Sequence, residues 1–295
     1  MIVPYEIYHN DIEYLEKVYH NGQEKIWDGR ETLNSLFKKY PDPQLTHSQA
    51  TALKNILAII LWGEYVAWNV SSEMSAVFHE RGAKMAAVSQ AHDEARHFYV
   101  MKDYLEKRLE YQPKTIFKPA LKVLEEISKT KCMAKKLLGL QLMIEPVAIT
   151  IFRFVRKSQI DPVLSELLKY YEEDEARHIA LGVKYLPNLI KKMFILKKIN
   201  FIFWQIKLIF FEIKGLKSIE KDLEVLGIDP REVFQFAEYK QISCLKEISR
   251  EMKISDEIWK PVIKFIEITK KIAFHPDKSQ PLLKRVFTSI FDQSD

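Results

Sequence analysis

The pentapeptide Asp-Glu-Ala-Arg-His occurs twice, at Asp93–His97 and Asp174–His178, and a glutamate stands thirty residues before the glutamate of each copy. Those upstream residues are Glu64 and Glu145, so every element of the first set recurs 81 positions later. Residues three apart on a helix share a face, so Glu94 with His97, and Glu175 with His178, project together. A single Glu-x-x-His pair arises often by chance on an exposed helix. Two such pairs, each with a further Glu inside a long apolar segment, constrain the chain far more. They require four long helices whose inward faces meet.

The flanking residues support inward placement. Glu64 lies within Ile59-Ile60-Leu61-Trp62-Gly63-Glu64-Tyr65-Val66-Ala67-Trp68, and Glu145 within Leu142-Met143-Ile144-Glu145-Pro146-Val147-Ala148. A carboxylate among such neighbours carries a large desolvation cost unless it is paired or bound to a metal. Four carboxylates and two neutral imidazoles balance two divalent cations. Glu64, Glu94, His97, Glu145, Glu175 and His178 are therefore the candidate ligands. Oxygen and imidazole donors without cysteine suit iron(II) or manganese(II) and disfavour an iron–sulfur cluster, leaving iron, manganese and a mixed pair open. Asp93, Arg96, Asp174 and Arg177 recur beside the ligands. A metal-bound histidine usually donates its second nitrogen to an acceptor, so each aspartate is expected to support the histidine of the other copy, with the arginines balancing charge.

With eight glycines and no strongly alternating segments, the chain reads as all-α. Residues 1–46 read as an N-terminal arm with turn signals at Asn21-Gly22, Asp28-Gly29 and Pro41-Asp42-Pro43. Thr46 or Ser48 can cap a long helix through Leu53, Ile60, Glu64 and Trp68. A second starts near Gly82 and runs through Glu94, Met101 and Leu105. Pro113 and Pro119 punctuate a connection, and a third helix covers Met133 to about Lys157. Asp161-Pro162 opens a fourth, expected to end before Pro187. Residues 47–187 thus read as a four-helix bundle. Residues 188–295 are expected to be a helical extension packed on it, with helices near 188–214, 217–225, 230–250 and 255–274.

On Glu64, Glu145 and the two Asp-Glu-Ala-Arg-His motifs, the chain resembles the ribonucleotide-reductase-like branch of the ferritin-like di-iron carboxylate superfamily over roughly residues 47–187. The resemblance implies two iron ions held by the six ligands, activation of dioxygen, and an oxidase or oxygenase acting on a small, hydrophobic organic substrate. Electrons would come from an external reductase or ferredoxin, since the sequence has no flavin- or nicotinamide-binding pattern. No subfamily pattern is complete. Met101 stands where the reductase subunit has its radical tyrosine, and Tyr171 where arylamine N-oxygenases have a third histidine. Ile149 and Ala148 stand where monooxygenases and desaturases place a threonine, and Leu140 where ligand-binding oxidases have a cross-linked tyrosine. The alternative is an iron-oxidising or metal-handling protein without an organic substrate; a metal-free helical scaffold is a third.

One turn before Glu175 and Glu145 respectively, Tyr171 and Gln141 are candidate pocket residues. Ile60, Ala87, Met101, Leu138, Ala148, Ile149 and Phe152 suggest a dry pocket, although apolar faces are usually plain core. The formal charge of +5 is local: residues 188–217 carry seven lysines and one acid, Glu212, interleaved with Phe194, Phe201, Phe203, Trp204, Phe210 and Phe211. That distribution argues against a general nucleic-acid binder. The segment is too short and charged to span a membrane. Packing against the bundle or a homodimer partner is the favoured reading, with contact at a membrane surface the other. Cys132 and Cys244 have no metal or disulfide spacing, and the opening residues lack a secretory pattern, so a cytoplasmic protein, membrane-associated in the second case, is expected.

Overall fold

A computed structural model describes residues 12–113 and 118–273. The described residues form helices and no strand: α1 (Ile12–Glu24), α2 (Gly29–Lys39), α3 (His47–Val77), α4 (Arg81–Leu109), α5 (Lys118–Lys129), α6 (Met133–Gly139), α7 (Glu145–Ser158), α8 (Pro162–Lys191), α9 (Ile195–Ser218), α10 (Glu220–Val225), α11 (Pro230–Met252) and α12 (Lys260–Ala273). A π-helical turn, Leu140–Ile144, joins α6 to α7, so the three pieces run on as one long helix. The chain is all-α, as its periodicity requires.

Local chemistry starts these helices where the sequence indicates. Thr46 accepts from the Gln49 backbone while the Gln49 side chain accepts from the Thr46 backbone, a complete capping box opening α3. Asp161 accepts from Val163 N at 2.9 Å and opens α8, with Pro162 as its first residue. Asp28 caps α2 through Glu31 N at 2.7 Å. Asn21-Gly22, in contrast, makes no turn and lies within α1. A Cβ at Gly22 would sit 2.6 Å from Ser89 Oγ, so the glycine serves close helix contact.

Three boundaries depart from expectation. Helix α8 does not stop before Pro187 but continues to Lys191 with Pro187 buried inside it. Tyr185, Leu186 and Ile190 are buried on the same stretch, and their packing offsets the roughly 3 kcal/mol that an internal proline costs. The helix expected near 188–214 therefore begins only at Ile195, after a break at Lys192–Phe194. The connection punctuated by Pro113 and Pro119 contains α5, because proline in a first turn forfeits no hydrogen bond.

The core is built by α3, α4, α8 and the α6–α7 helix, with α1 and α2 laid on α4 and α8. Helix α9 packs on α5, α6 and α12, and α11 on α7 and α8. In the α6–α7 helix, 72% of the most apolar window is buried, which marks it as a core helix despite a membrane-like length and hydropathy. Helix α9 is divided. Phe201, Trp204, Leu208, Ile209 and Ile213 are buried, while Phe194, Leu196 and Phe203 are 78%, 76% and 67% exposed. The packing expectation thus describes only one face of it.

Gly182 lets α8 close on the π-helical turn: a Cβ there would lie 2.7 Å from Gln141 Cβ and 3.0 Å from Leu142 Cδ2. Gly182→Val should destabilise the fold by about 1–3 kcal/mol in urea unfolding, from overpacking. An unchanged midpoint would show that the crossing has room to spare.

Candidate metal centre

The ligand candidates reach the core from four long helical segments. Glu64 comes from the middle of α3, Glu94 and His97 from α4, Glu145 from the junction of the π-helical turn and α7, and Glu175 and His178 from α8; all six are buried. The π-helical turn sets the position of Glu145. Its backbone N–H bonds to Leu140 O, five residues back. The following residue, Pro146, has no N–H, and its ring would collide with a carbonyl four residues back in a regular helix. The widened turn removes that conflict and rotates the next residues relative to α6.

The structure brings all six together in two overlapping sets, Glu64/Glu94/His97/Glu175 and Glu94/Glu145/Glu175/His178, each with one ligand atom per residue and all such atoms within 4.8 Å of one another. His97 Nδ1 lies 3.3 Å from Glu64 Oε2, 3.6 Å from Glu94 Oε2 and 3.4 Å from Glu175 Oε1. His178 Nδ1 lies 2.7 Å from Glu175 Oε2, 3.2 Å from Glu94 Oε1 and 3.6 Å from Glu145 Oε2. Metal–ligand bonds of about 2.0–2.2 Å place donors of one coordination sphere roughly 3–3.6 Å apart. Glu94 and Glu175 belong to both sets and could bridge two ions. Glu94 Oε2 and His97 Nδ1 are buried and make no hydrogen bond, the condition expected of atoms reserved for a ligand. These residues could hold a metal pair.

The electrostatics point the same way. Burial pushes the Glu64 and Glu145 carboxyls well above their usual range, Glu175 adding to both. Burial acts on Glu94 as well, but the charge and hydrogen bond of His178 outweigh it and lower that carboxyl. The histidines are held well above their ordinary range: against burial, His97 by Asp174 and the surrounding glutamates, His178 by Glu175 and Glu94. Bound cations would take over the balancing role of these protons.

Each aspartate faces the histidine of the other copy. His97 Nε2 is 3.0 Å from Asp174 Oδ2, and His178 Nε2 is 3.4 Å from Asp93 Oδ2. An Nε2–H donated to the aspartate leaves the Nδ1 lone pair facing the glutamates. Arg96 donates to Asp93 Oδ1 at 2.6 Å and Asp174 Oδ2 at 2.8 Å, while Arg177 donates to Asp174 Oδ1 at 2.5 Å and Asp93 Oδ2 at 3.2 Å. The four charges form a closed ring in which each arginine joins both aspartates.

Two contributors escaped the sequence reading. Trp27, ahead of α2, donates its indole N–H to Asp174 Oδ2 at 2.9 Å and stacks under the Arg96 guanidinium at 4.6 Å. No periodicity marks it. Gln90 donates to Glu94 Oε1 at 3.1 Å and Glu145 Oε1 at 2.9 Å. It lies one turn before Glu94, as Tyr171 lies before Glu175, so the 81-residue repeat could have found it. The same repeat position carries an amide on one side and a phenol on the other, making the two sets inequivalent.

Neither Tyr171 nor Gln141 lines the apolar cavity beside the ligands. Tyr171 stacks on His97 with ring centroids 4.1 Å apart and donates to His97 O at 2.6 Å. Gln141 is buried behind the site and donates to Gln90 Oε1 at 2.8 Å. One turn before a ligand turns out to be behind it, because these side chains are drawn to polar partners between the helices.

The pocket itself is a cavity of about 100 Å³ between α3, α5, α7 and α9. Its wall holds all four ligand glutamates and is otherwise apolar, including Ile59, Ile60, Leu140, Ala148 and Leu216, apart from Glu212 of α9. Of the pocket candidates named from sequence, Ile60 and Ala148 line it; Ala87, Met101, Leu138, Ile149 and Phe152 pack in the core. Burial pushes the Glu212 carboxyl up to about 8, although Gln241 Nε2 donates to its Oε1 at 2.7 Å.

No protein-family model matches the chain, and no curated protein does. Among solved structures, one similar to it is described as protein 19 with aldehyde deformylating oxidase activity from Synechococcus, with a TM-score of 0.60 and 14% identity. The match covers 70% of this chain and 94% of that one. It shows that the two share a fold, the ferritin-like helical bundle, around which this chain adds helices.

The raised Glu212 carboxyl has a consequence for stability. Its proton is held more tightly in the folded chain than in the unfolded one, where glutamate titrates near 4.3. Stability is therefore lost as pH climbs from about 4.5 towards about 8. Glu212→Gln removes that slope, so the variant should gain on the parent by up to about 1.4 kcal/mol per pH unit across this window. Parallel stability profiles between pH 5 and pH 8 would reject the assignment.

Proposed function

We propose that the chain is a non-haem di-iron oxidoreductase that activates dioxygen to oxidise a small, largely apolar organic molecule. The observation carrying this reading is the placement of the cavity: its wall contains the four ligand glutamates and hardly any other polar group. Oxidising and storing iron alone would not call for an apolar chamber at the ligands, so this feature favours an organic substrate over metal handling. The aldehyde deformylating oxidase activity of the Synechococcus protein that shares the fold lends support.

Glu94 and Glu175 would hold both ions, Glu64 and His97 one, Glu145 and His178 the other. Two irons, when bound, would supply the dioxygen binding and redox equivalents that protein side chains lack. The protein's part is to position and to exclude water. The Asp93–Arg96–Asp174–Arg177 ring fixes both imidazoles, Gln90 holds Glu94 and Glu145, and the apolar wall keeps competing water from the reacting face. Electrons would come from a separate donor protein.

The exposed face of α9 supports a membrane partner for the same enzyme. Phe194, Ile195, Leu196 and Phe203 project among lysines, and Glu212, the single acid of 188–217, is turned inward. Two copies of such a face would repel one another, whereas an anionic bilayer matches both its charge and its apolar content.

Anaerobic reconstitution with iron(II) should give about two ions per chain and a transient optical band on admitting dioxygen. Glu94→Ala or Glu175→Ala should empty both positions, while Glu64→Ala or Glu145→Ala should leave about one ion by metal analysis. Full metal content in all four variants would show that the ligands are wrongly assigned, and dioxygen uptake that never depends on an organic compound would favour metal handling. The protein should also pellet with phosphatidylglycerol vesicles, not with phosphatidylcholine vesicles, and be released by high salt. Leu196→Glu should weaken this binding several-fold; a chain that ignores both vesicle types but dimerises through this face would reject the membrane reading.

A further inference from the structure

Glu212 is unexplained by the metal centre. It belongs to neither ligand set, yet it is the one other carboxyl group in the wall of the cavity that those sets face. Among the described residues no lysine or arginine pairs with it, although lysines surround it in sequence. A buried acid without a cation is costly to retain unless it has a partner to serve. Gln241 supports one side only. Its amide spans Glu212 Oε1 at 2.7 Å and Met143 O at 3.3 Å, tying α9 to the π-helical turn. The other oxygen, Oε2, makes no hydrogen bond among the described residues.

Resting on the oxidoreductase reading, we propose that Glu212 anchors the polar end of the substrate, which is an apolar molecule ending in one uncharged oxygen group such as an alcohol. The fixed oxygen, the free oxygen and the apolar wall between anchor and ligands together define a site that takes a chain by its head and leaves its carbons towards the glutamates. A carboxylate head would bring a charge into an apolar wall that holds no lysine or arginine to pair with it. An ammonium head would find little charge to pair with, because burial holds this carboxyl protonated at neutral pH, up to about 8, so it offers an O–H donor to an accepting oxygen. Size follows from the cavity. At about 100 Å³ it is smaller than the 150 Å³ engineered cavity that accommodates benzene, so roughly five or six non-hydrogen atoms fit without rearrangement.

Gly63 provides a separate handle on the same space. It lines the cavity, and a Cβ built on it meets nothing within 4 Å, so a side chain there enters the chamber rather than a neighbour. Binding of 1-pentanol, pentane, pentylamine and butanoate to the metal-loaded chain can be compared by ligand-observed NMR titration, with metal content measured on each sample. The parent should bind 1-pentanol at least about fivefold more tightly than the other three. Glu212→Leu should erase the preference for the alcohol over pentane while keeping the metal. Gly63→Val should abolish binding of both, placing them in this cavity. If Glu212→Leu fails to fold, Gln241→Leu, which frees the carboxyl from its support, should reduce the preference instead. Equal affinity for 1-pentanol and pentane in the parent, tighter binding of the amine or the acid, or a preference that survives loss of the carboxyl would overturn the proposal. A chain that binds no metal but keeps the alcohol preference would sink the oxidoreductase reading and leave the anchor standing.

Discussion

Four glutamates buried in one apolar core must have their charge balanced, and the rest of the architecture answers that requirement. The two histidines supply part of the balance, and their rings stay in place because Asp93 and Asp174 hold the far nitrogens. The aspartates are then themselves buried acids, which Arg96 and Arg177 neutralise in a closed ring. Trp27 seals that ring from the side of α2 through a hydrogen bond and a stacked guanidinium. Each layer is a buried polar group or charge that the next one pairs. The scheme stays incomplete at its centre, where Glu94 Oε2 and His97 Nδ1 make no hydrogen bond, and that deficit is what suits the site to cations.

The same core has to provide room for chemistry without losing its packing. Pro146 and the π-helical turn before it let one long helix run on while placing Glu145 among the ligands. Gly182 allows α8 to close against that turn, and Gly63 leaves the α3 side of the cavity open. Helix α9 completes the chamber from outside the four-helix core, with Glu212 and Gly215 on its inner face and bulky apolar residues exposed on its outer one. One helix therefore bounds the proposed substrate space and presents the proposed membrane surface.

Much of this was legible in the chain because the signal was redundant. The 81-residue repeat states a set of three candidate ligands twice, and helical geometry turns three-residue spacing into a shared face. The crossed pairing of Asp93 with His178 and Asp174 with His97 followed from the same repeat and from the hydrogen-bonding needs of a ligating imidazole. Tyr171 and Gln141 were misplaced because spacing gives the face of a helix but not how far a side chain turns along it. Tyr171 found a backbone acceptor at His97 and Gln141 an amide at Gln90. Pro187 was read as a stop because local propensity argues for one, whereas burial along α8 overrides it.

By itself, then, the sequence determined the helical class, the helix start at Asp161, the start near Thr46 or Ser48, and the residues that could face a metal pair, since capping and periodicity are local properties. Only the tertiary structure decided where the empty space lies, that Glu212 looks into it, and which face of α9 remains uncovered. Those features depend on side chains from α3, α5, α7 and α9 meeting across the fold, at separations along the chain that no local pattern encodes.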